Sequence, residues 1–290
     1  MLVSELADVC EETLYSLAET RAKMTSLSEP ADTASVNLRV SDGQLVDRGF
    51  VEIGYELIQV SKVDRNSGRL TVLPRGRGAR GTTPAVHLLG DTVTVNPAFP
   101  RSGIVREIND AVRSLYPTLF RTQRIAGISL VEPPDVTPLP EWMTGVADVR
   151  AVTPDGREHP VNRYRLRDAP GGGLLLEILE CIPREATLTL TGIGHFAVPL
   201  RPEDDLTTVG GVLDEWTDIV RLRVCSVLAA SMDFARLRTD SIEAGGRADR
   251  IQPVSASQVS KSWMQYYQLR KQEARNQLLN SLNGRARFTY

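Results

Sequence analysis

Two hydrophobic periods alternate along this chain, and their alternation restricts the folds open to it. Four segments repeat apolar residues at helical spacing, and two long blocks between them are β-branched and alternate residue by residue. The first helical stripe, Leu2 to Glu19, runs through Leu6, Val9, Cys10, Thr13, Leu14, Leu17 and Ala18, with Glu5, Asp8, Glu11, Glu12 and Glu19 off it. The second, Pro100 to Phe120, uses Ile104, Val105, Ile108, Ala111, Val112 and Leu115 and is ended by Pro117. The third, Asp214 to Arg238, is apolar nearly all round at Ala229 and Ala230, which implies central burial. The fourth, Ser257 to Leu282, has neither Pro nor Gly and repeats Trp263, Tyr266, Tyr267, Arg270, Ala274, Leu278 and Leu282.

The first β block contains SVNLRV, FVEIGYELIQVSKVD, GRLTVLP and DTVTVNP, punctuated by SDG, NSG and RGRGARG. The second, Arg121 to Pro199, contains GISLVE, GVADVRAVT, RYRLRD, LLLEILE and ATLTLTG, broken by EPPDVTPLP, PDG and APGGG. The fold expected is α+β: a core of about four helices carrying two β-rich insertions, with an extended C-terminal arm. The segments are 1–32 (first helix), 33–99 (first β module), 100–120 (core helix), 121–200 (second β lobe), 201–256 (core helix and loop) and 257–290 (last helix and arm). Helices separated by insertions must then find one another in space, against the usual rule that sequence neighbours pack together. Two unrelated tandem domains are the alternative.

With 290 residues and 41 % hydrophobic content the chain can bury a real core. Its net charge of −2 gives no overall signature of nucleic-acid or membrane binding. Cys10, Cys181 and Cys225 are far apart in sequence with no CxxC, which suggests neither a disulfide framework nor a zinc site and points to a reducing compartment. The first residues are acidic where an export signal is basic, and no apolar run is long enough to span a bilayer.

Candidate chemistry is sparse. Gly76 to Gly81 matches GxGxxG, but Thr82-Thr83-Pro84 follows where a dinucleotide loop must open a helix. With Arg75, Arg77 and Arg80 it reads as an Arg-rich solvated turn or as a loop for phosphate or a protein interface. His87, His159 and His195 occupy no metal-ligand spacing, no serine sits in GxSxG, and no histidine neighbours a cysteine. Asp204 and Asp205 read as charges at a helix start rather than an acid/base pair. The expectation is no catalytic residue, no metal and no cofactor.

The last thirty residues stand apart. From Lys261 onward, Lys261, Arg270, Lys271, Arg275, Arg285 and Arg287 face Glu273 alone, a net of +5 in a chain of −2. The aromatic, Arg-bearing tail from Gly284 to Tyr290 follows the helix. Arg, Tyr and Trp are the residues that concentrate at interface centres, so Trp263, Tyr266, Tyr267, Arg270, Arg285, Arg287, Phe288 and Tyr290 are the candidate docking residues. The alternative is that Trp263, Tyr266 and Leu278 pack on the protein's own core.

One stretch carries a family resemblance. Val51 to Ile58 with its Ile53-Gly54-Tyr55-Glu56 turn, then Val63-Asp64, Leu70-Thr71-Val72, Arg75-Gly76, Gly81-Thr82, Ala85, His87, Gly90 and Val93-Thr94-Val95 resemble a β module of tailed-phage virion proteins. Continued by Asn96-Pro97, Phe99-Pro100-Arg101 and the helix to Phe120, it resembles the head-to-tail connector, or adaptor, proteins of long-tailed actinobacterial phages. Nothing in that motif is catalytic, and His87 is expected to fix a connection through its side chain. The resemblance implies a structural virion neck protein, made in the host bacterial cytoplasm. It implies a ring, twelvefold in the family, between the portal and a tail-side neck or tail terminator protein. Double-stranded DNA would pass through the lumen without sequence-specific binding, no membrane would be involved, and the C-terminal segment would dock on the portal. Another neck or tail structural protein, and a nucleic-acid-binding module using the Arg-rich segments, remain alternatives; a nucleotide-binding enzyme rests on the GxGxxG match alone.

Overall fold

The computed structural model describes residues 1–18, 22–129, 136–170, 172–183, 185–243, 254–282 and 287–288. Among them are four helices, α1 (Val3–Ala18), α2 (Arg101–Leu115), α3 (Thr217–Glu243) and α4 (Val254–Ser281). The remainder is built on antiparallel sheets, so the fold is α+β. The chain divides into two compact units, each assembled from separated stretches: Met1–Leu2, Asn109–Val220 and Gln265–Tyr290 in one, Val3–Ile108 and Arg221–Met264 in the other.

In the unit holding Val3–Ile108, the first β block forms a six-stranded sheet. Its strands are β1 (Lys23–Ser26), β2 (Asn37–Arg39), β3 (Gly49–Ile53), β4 (Glu56–Asp64), β5 (Arg69–Val72) and β6 (Thr92–Val95), in the order β1-β6-β3-β4-β5-β2. Alternation is the cause: Leu38, Val51, Ile53, Ile58, Val60, Leu70, Val72, Val93 and Val95 send their side chains into one core. Pairing of Val51 with Ile58 and Ile53 with Glu56 sets the β3–β4 register around Gly54, whose φ of +60° suits the tight turn. β1 was not visible in the sequence, because KMTS is a short, mostly solvated edge strand with no apolar alternation.

The α1 stripe is buried at Leu6, Cys10 and Leu14, one turn apart. Val224, Cys225, Ser226 and Ala229 of α3 are buried, while Val227, Leu228 and Ala230 are half-buried, so the all-round apolar stretch is covered on one face more than the other. The thiols of Cys10 and Cys225 hydrogen-bond to each other, and Ser260 Oγ of α4 donates to the Ser226 carbonyl at 2.7 Å. Helices far apart in sequence thus do meet within this unit.

In the other unit, β7 (Arg121–Ser129), β9 (Met143–Val152), β10 (Glu158–Pro160) and β13 (Thr187–Gly194) form a sheet in the order β10-β9-β13-β7. A second sheet of β8 (Val136–Pro138), β11 (Tyr164–Asp168) and β12 (Leu174–Ile178) runs β11-β12-β8. Val146, Val149, Ala151, Leu174, Leu176, Leu188 and Leu190 form their core. A two-residue strand, β14 (Arg287–Phe288), pairs with β9.

Two boundaries differ from expectation. α3 runs on to Glu243, since nothing between Arg238 and Gly245 breaks a helix, and α4 starts at Val254, since serines are tolerated in a first turn. A third reading is corrected: Asp204 and Asp205 do not open a helix. Asp205 accepts the amides of Thr207 and Thr208 at 2.9 and 2.8 Å in a turn, and the acids near the α3 start are Asp214, Glu215 and Asp218.

Asn109 ties a distant loop to α2. Buried to 8 % exposure, it accepts the Leu200 amide at 2.6 Å and donates to the Leu200 carbonyl at 3.0 Å. Asn109→Ala leaves both backbone groups unpaired and is expected to cost about 2 kcal/mol, read as a shifted urea midpoint at unchanged slope.

Candidate functional site

The densest polar construction in the protein sits under the Arg-rich loop. Glu56 follows the Gly54 turn, so β4 carries its carboxylate into the sheet's covered end, where its side chain is fully buried. Five donors converge on it. Oε1 accepts from Arg77 Nε at 2.7 Å and the Gly78 amide at 3.0 Å. Oε2 accepts from Arg77 Nη2 at 2.8 Å and the Ala85 amide at 2.9 Å, and lies 2.8 Å from His87 Nε2.

Arg77 is as fully used. Beyond the carboxylate it donates from Nη2 to the Ala85 carbonyl at 2.7 Å, and from Nη1 to the carbonyls of Asp32 and Ser35. All five N–H directions of the guanidinium have acceptors. His87 also bridges Ala31 through two backbone bonds of 2.8 and 2.9 Å. Burial alone would raise the Glu56 pKa, but Arg77, the Ala85 and Gly78 amides and His87 outweigh it and hold the carboxyl at about 2.

The Arg-rich loop is therefore neither a solvated turn throughout nor a free phosphate cradle. Arg77 points inward, and Arg80 lies with its guanidinium carbon 4.3 Å from the Phe50 ring centroid. Arg75 and Arg80 are both exposed, at φ +62° and +55°. Two of the GxGxxG glycines serve backbone contact: a Cβ on Gly76 would sit 2.6 Å from the Gln59 carbonyl oxygen, and on Gly78 2.7 Å from that of Thr82; Gly81 has open space and a φ of +84°. A single 3₁₀ turn, Ala79–Gly81, follows where a dinucleotide loop would open a helix.

A second polar site in the same unit is a cleft of about 620 Å³ lined by acidic residues of α1 and by Glu52 and Arg101. Arg101, opening α2, pairs with Asp8 at 2.8 Å and Glu11 at 3.0 Å. Its amide donates to Glu52 Oε1 at 2.7 Å. Glu52 is 3 % exposed. Burial and the neighbouring Glu11 charge push its carboxyl up to about 7, against the pull of the Arg101 and Ser102 amides. Sequence gave no sign of this, since Glu52 occupies a solvent-side place in a simple strand alternation; only the covering of both sheet faces buries it. Among the described residues no cluster of three or more His, Cys, Asp or Glu could hold a metal ion, and no helix is long and apolar enough to cross a membrane.

The candidate docking residues divide. Tyr267 is 3 % exposed with its hydroxyl 3.4 Å from Ser114 Oγ, and Ala274 and Leu278 are buried beside it along α4. Lys271 Nζ donates to the Ser114 carbonyl at 2.6 Å. Arg270 pairs with Asp218 at 2.9 Å and Glu273 at 2.7 Å. Trp263 is half-buried. Tyr266 and Leu269, at 60 % and 61 % exposure and three residues apart, form an outward apolar face. Arg287 and Phe288 pair with β9; Arg285 and Tyr290 lie outside the described residues.

No protein-family model matches the chain, and no curated protein matches it. Two similar solved structures are a chain of the virion of a native gene transfer agent particle and a chain of the neck of the native particle computed with C12 symmetry. The first is 15 % identical, covers 56 % of this chain and 77 % of that one, and superposes at a TM-score of 0.24. The second is 16 % identical, covers 56 % and 80 %, and superposes at 0.24. Superpositions that loose leave the function to this chain's own residues.

Two substitutions test these carboxylates. Glu56→Gln strands the buried Arg77 charge and is expected to cost about 3–5 kcal/mol in urea unfolding at pH 7. In the native protein the Glu56 stabilisation, present above about 4.5, fades as pH falls towards 2, because the folded value lies below the ordinary 4.5. Glu52 acts with the opposite sign. Its folded value of about 7 lies above 4.5, so its contribution falls as pH rises from 4.5 to 7. Glu52→Gln should flatten that decline and gain up to about 3 kcal/mol at pH 8, read from melting curves across pH.

Proposed function

We propose that this chain is a structural, non-catalytic protein of a virion neck, and within it a head-to-tail adaptor. It would form a ring between the portal and a tail-side neck or terminator protein, around the passage for double-stranded DNA. The observation that carries this reading is the use made of the phage-like module. Its turn glycine, Glu56 and His87, with Arg77, hold backbone segments to one another, as a load-transmitting part requires, and the Glu56 carboxylate and Arg77 guanidinium are fully taken up in doing so.

The same geometry weakens the nucleic-acid alternative. A phosphate-binding loop needs free cationic donors; Arg77 has none, and only the exposed Arg75 and Arg80, the latter lying over Phe50, face solvent in this loop. Arg65 pairs with Asp47 at 2.7 Å and Arg39 with Glu29 at 2.9 Å. DNA would then slide past a wall that grips it weakly, which suits a conduit.

Portal contact is assigned to α4. The burial of Tyr267, Ala274 and Leu278 changes how that must be tested: removal of residues 263–290 would strip a core, not just an arm. Substitution of Tyr266 and Leu269 by alanine leaves the core alone. The double variant should melt within about 2 °C of the parent and bind purified cognate portal at least tenfold more weakly by interferometry. Unchanged portal affinity would contradict the assignment.

A further inference from the structure

The β9 strand has two edges of different character. Its inner edge pairs with β13 through eight residues of that strand. Its outer edge is covered at one end by β10, opposite Arg150, Ala151 and Val152, with the Val161 amide donating to the Val149 carbonyl at 2.9 Å. At the other end the only cover among the described residues is β14, with Arg287 opposite Val146 and Phe288 opposite Gly145, antiparallel.

We propose that β14 is an exchangeable strand, and that the Gly145–Val146 edge of β9 receives Arg287–Phe288 from a second copy of this chain. Two cross-strand pairs recover little free energy against the cost of ordering the residues that deliver them, so the pairing within one chain is readily surrendered. A second copy offers the identical backbone edge in the identical register, so exchange changes no bond. An uncovered edge is a template for another strand, which makes a bare alternative unfavourable.

The connector between Leu282 and Arg287 is Asn283-Gly284-Arg285-Ala286. Leu282 to Arg287 is five Cα–Cα steps, a reach of at most about 18 Å. The receiving copy must therefore lie beside the end of the donor's α4. Held there, it sees the strand at a high effective concentration. In a ring each copy gives one strand and receives one, so the exchange closes. This inference goes beyond portal docking, and its test contains no portal, so either can fail alone.

The test uses the full chain with Cys181, the exposed thiol, replaced by Ser. Gly145→Cys and Phe288→Cys are placed in separate proteins and mixed with glutathione disulfide. Directly opposed strand positions lie within disulfide reach. Exchange predicts a covalent dimer on a non-reducing gel from the mixture and not from either protein alone. A mixture without that dimer overturns the proposal, whether or not the double variant closes within one chain. Should the Gly145 variant not fold, sedimentation of the parent against a chain ending at Leu282 decides. At least tenfold weaker self-association of the shortened chain is expected, and equal self-association overturns the proposal.

Discussion

A single buried carboxylate organises the first β module. Glu56 draws together the β4 strand, the loop around Gly78, the Ala85 backbone and His87, and through Arg77 it reaches the carbonyls of Asp32 and Ser35. Removing a charge pair from water is costly, and here five donors on the carboxylate and five acceptors on the guanidinium repay it. The geometry is consequently all-or-none: any loop that moves leaves a buried polar atom behind. An Arg- and Gly-rich loop that would otherwise wander is fixed as part of the sheet.

The rest of the protein uses the same device more lightly. Asn109 imitates a backbone strand partner for Leu200, Ser260 takes up a carbonyl on α3, and Lys271 takes one at the end of α2. The Asn109 and Lys271 ties join segments separated by the second β lobe, and the Ser260 tie joins α3 to α4. On α4 the Tyr266 and Leu269 face is exposed, and on β9 a two-residue reach is covered by β14.

Much of this was legible from pattern. Helical and strand periods placed all four helices and most strands, because Leu6, Cys10, Ile108 and Val224 repeat as packing demands. His87 fixing a connection was readable from its place between turn residues. The loop chemistry was not. Arg65 to Gly81 contains no acid, so its arginines looked free, yet Asp47 from the loop before β3 and Glu56 from β4 reach them. Long-range pairing leaves no local trace, and the same blindness hid the Cys10–Cys225 contact. On α4, spacing identified the helix and could not say which aromatic faces inward: Tyr266 and Tyr267 are neighbours in sequence and opposites in burial.

The central claim, that the protein is an adaptor joining portal to tail, is tested most directly by electron microscopy of the purified chain mixed with its cognate portal. The account predicts a closed ring stacked coaxially on the portal, with an open lumen wide enough for double-stranded DNA. Particles in which the portal stands bare beside unassembled monomers would contradict it.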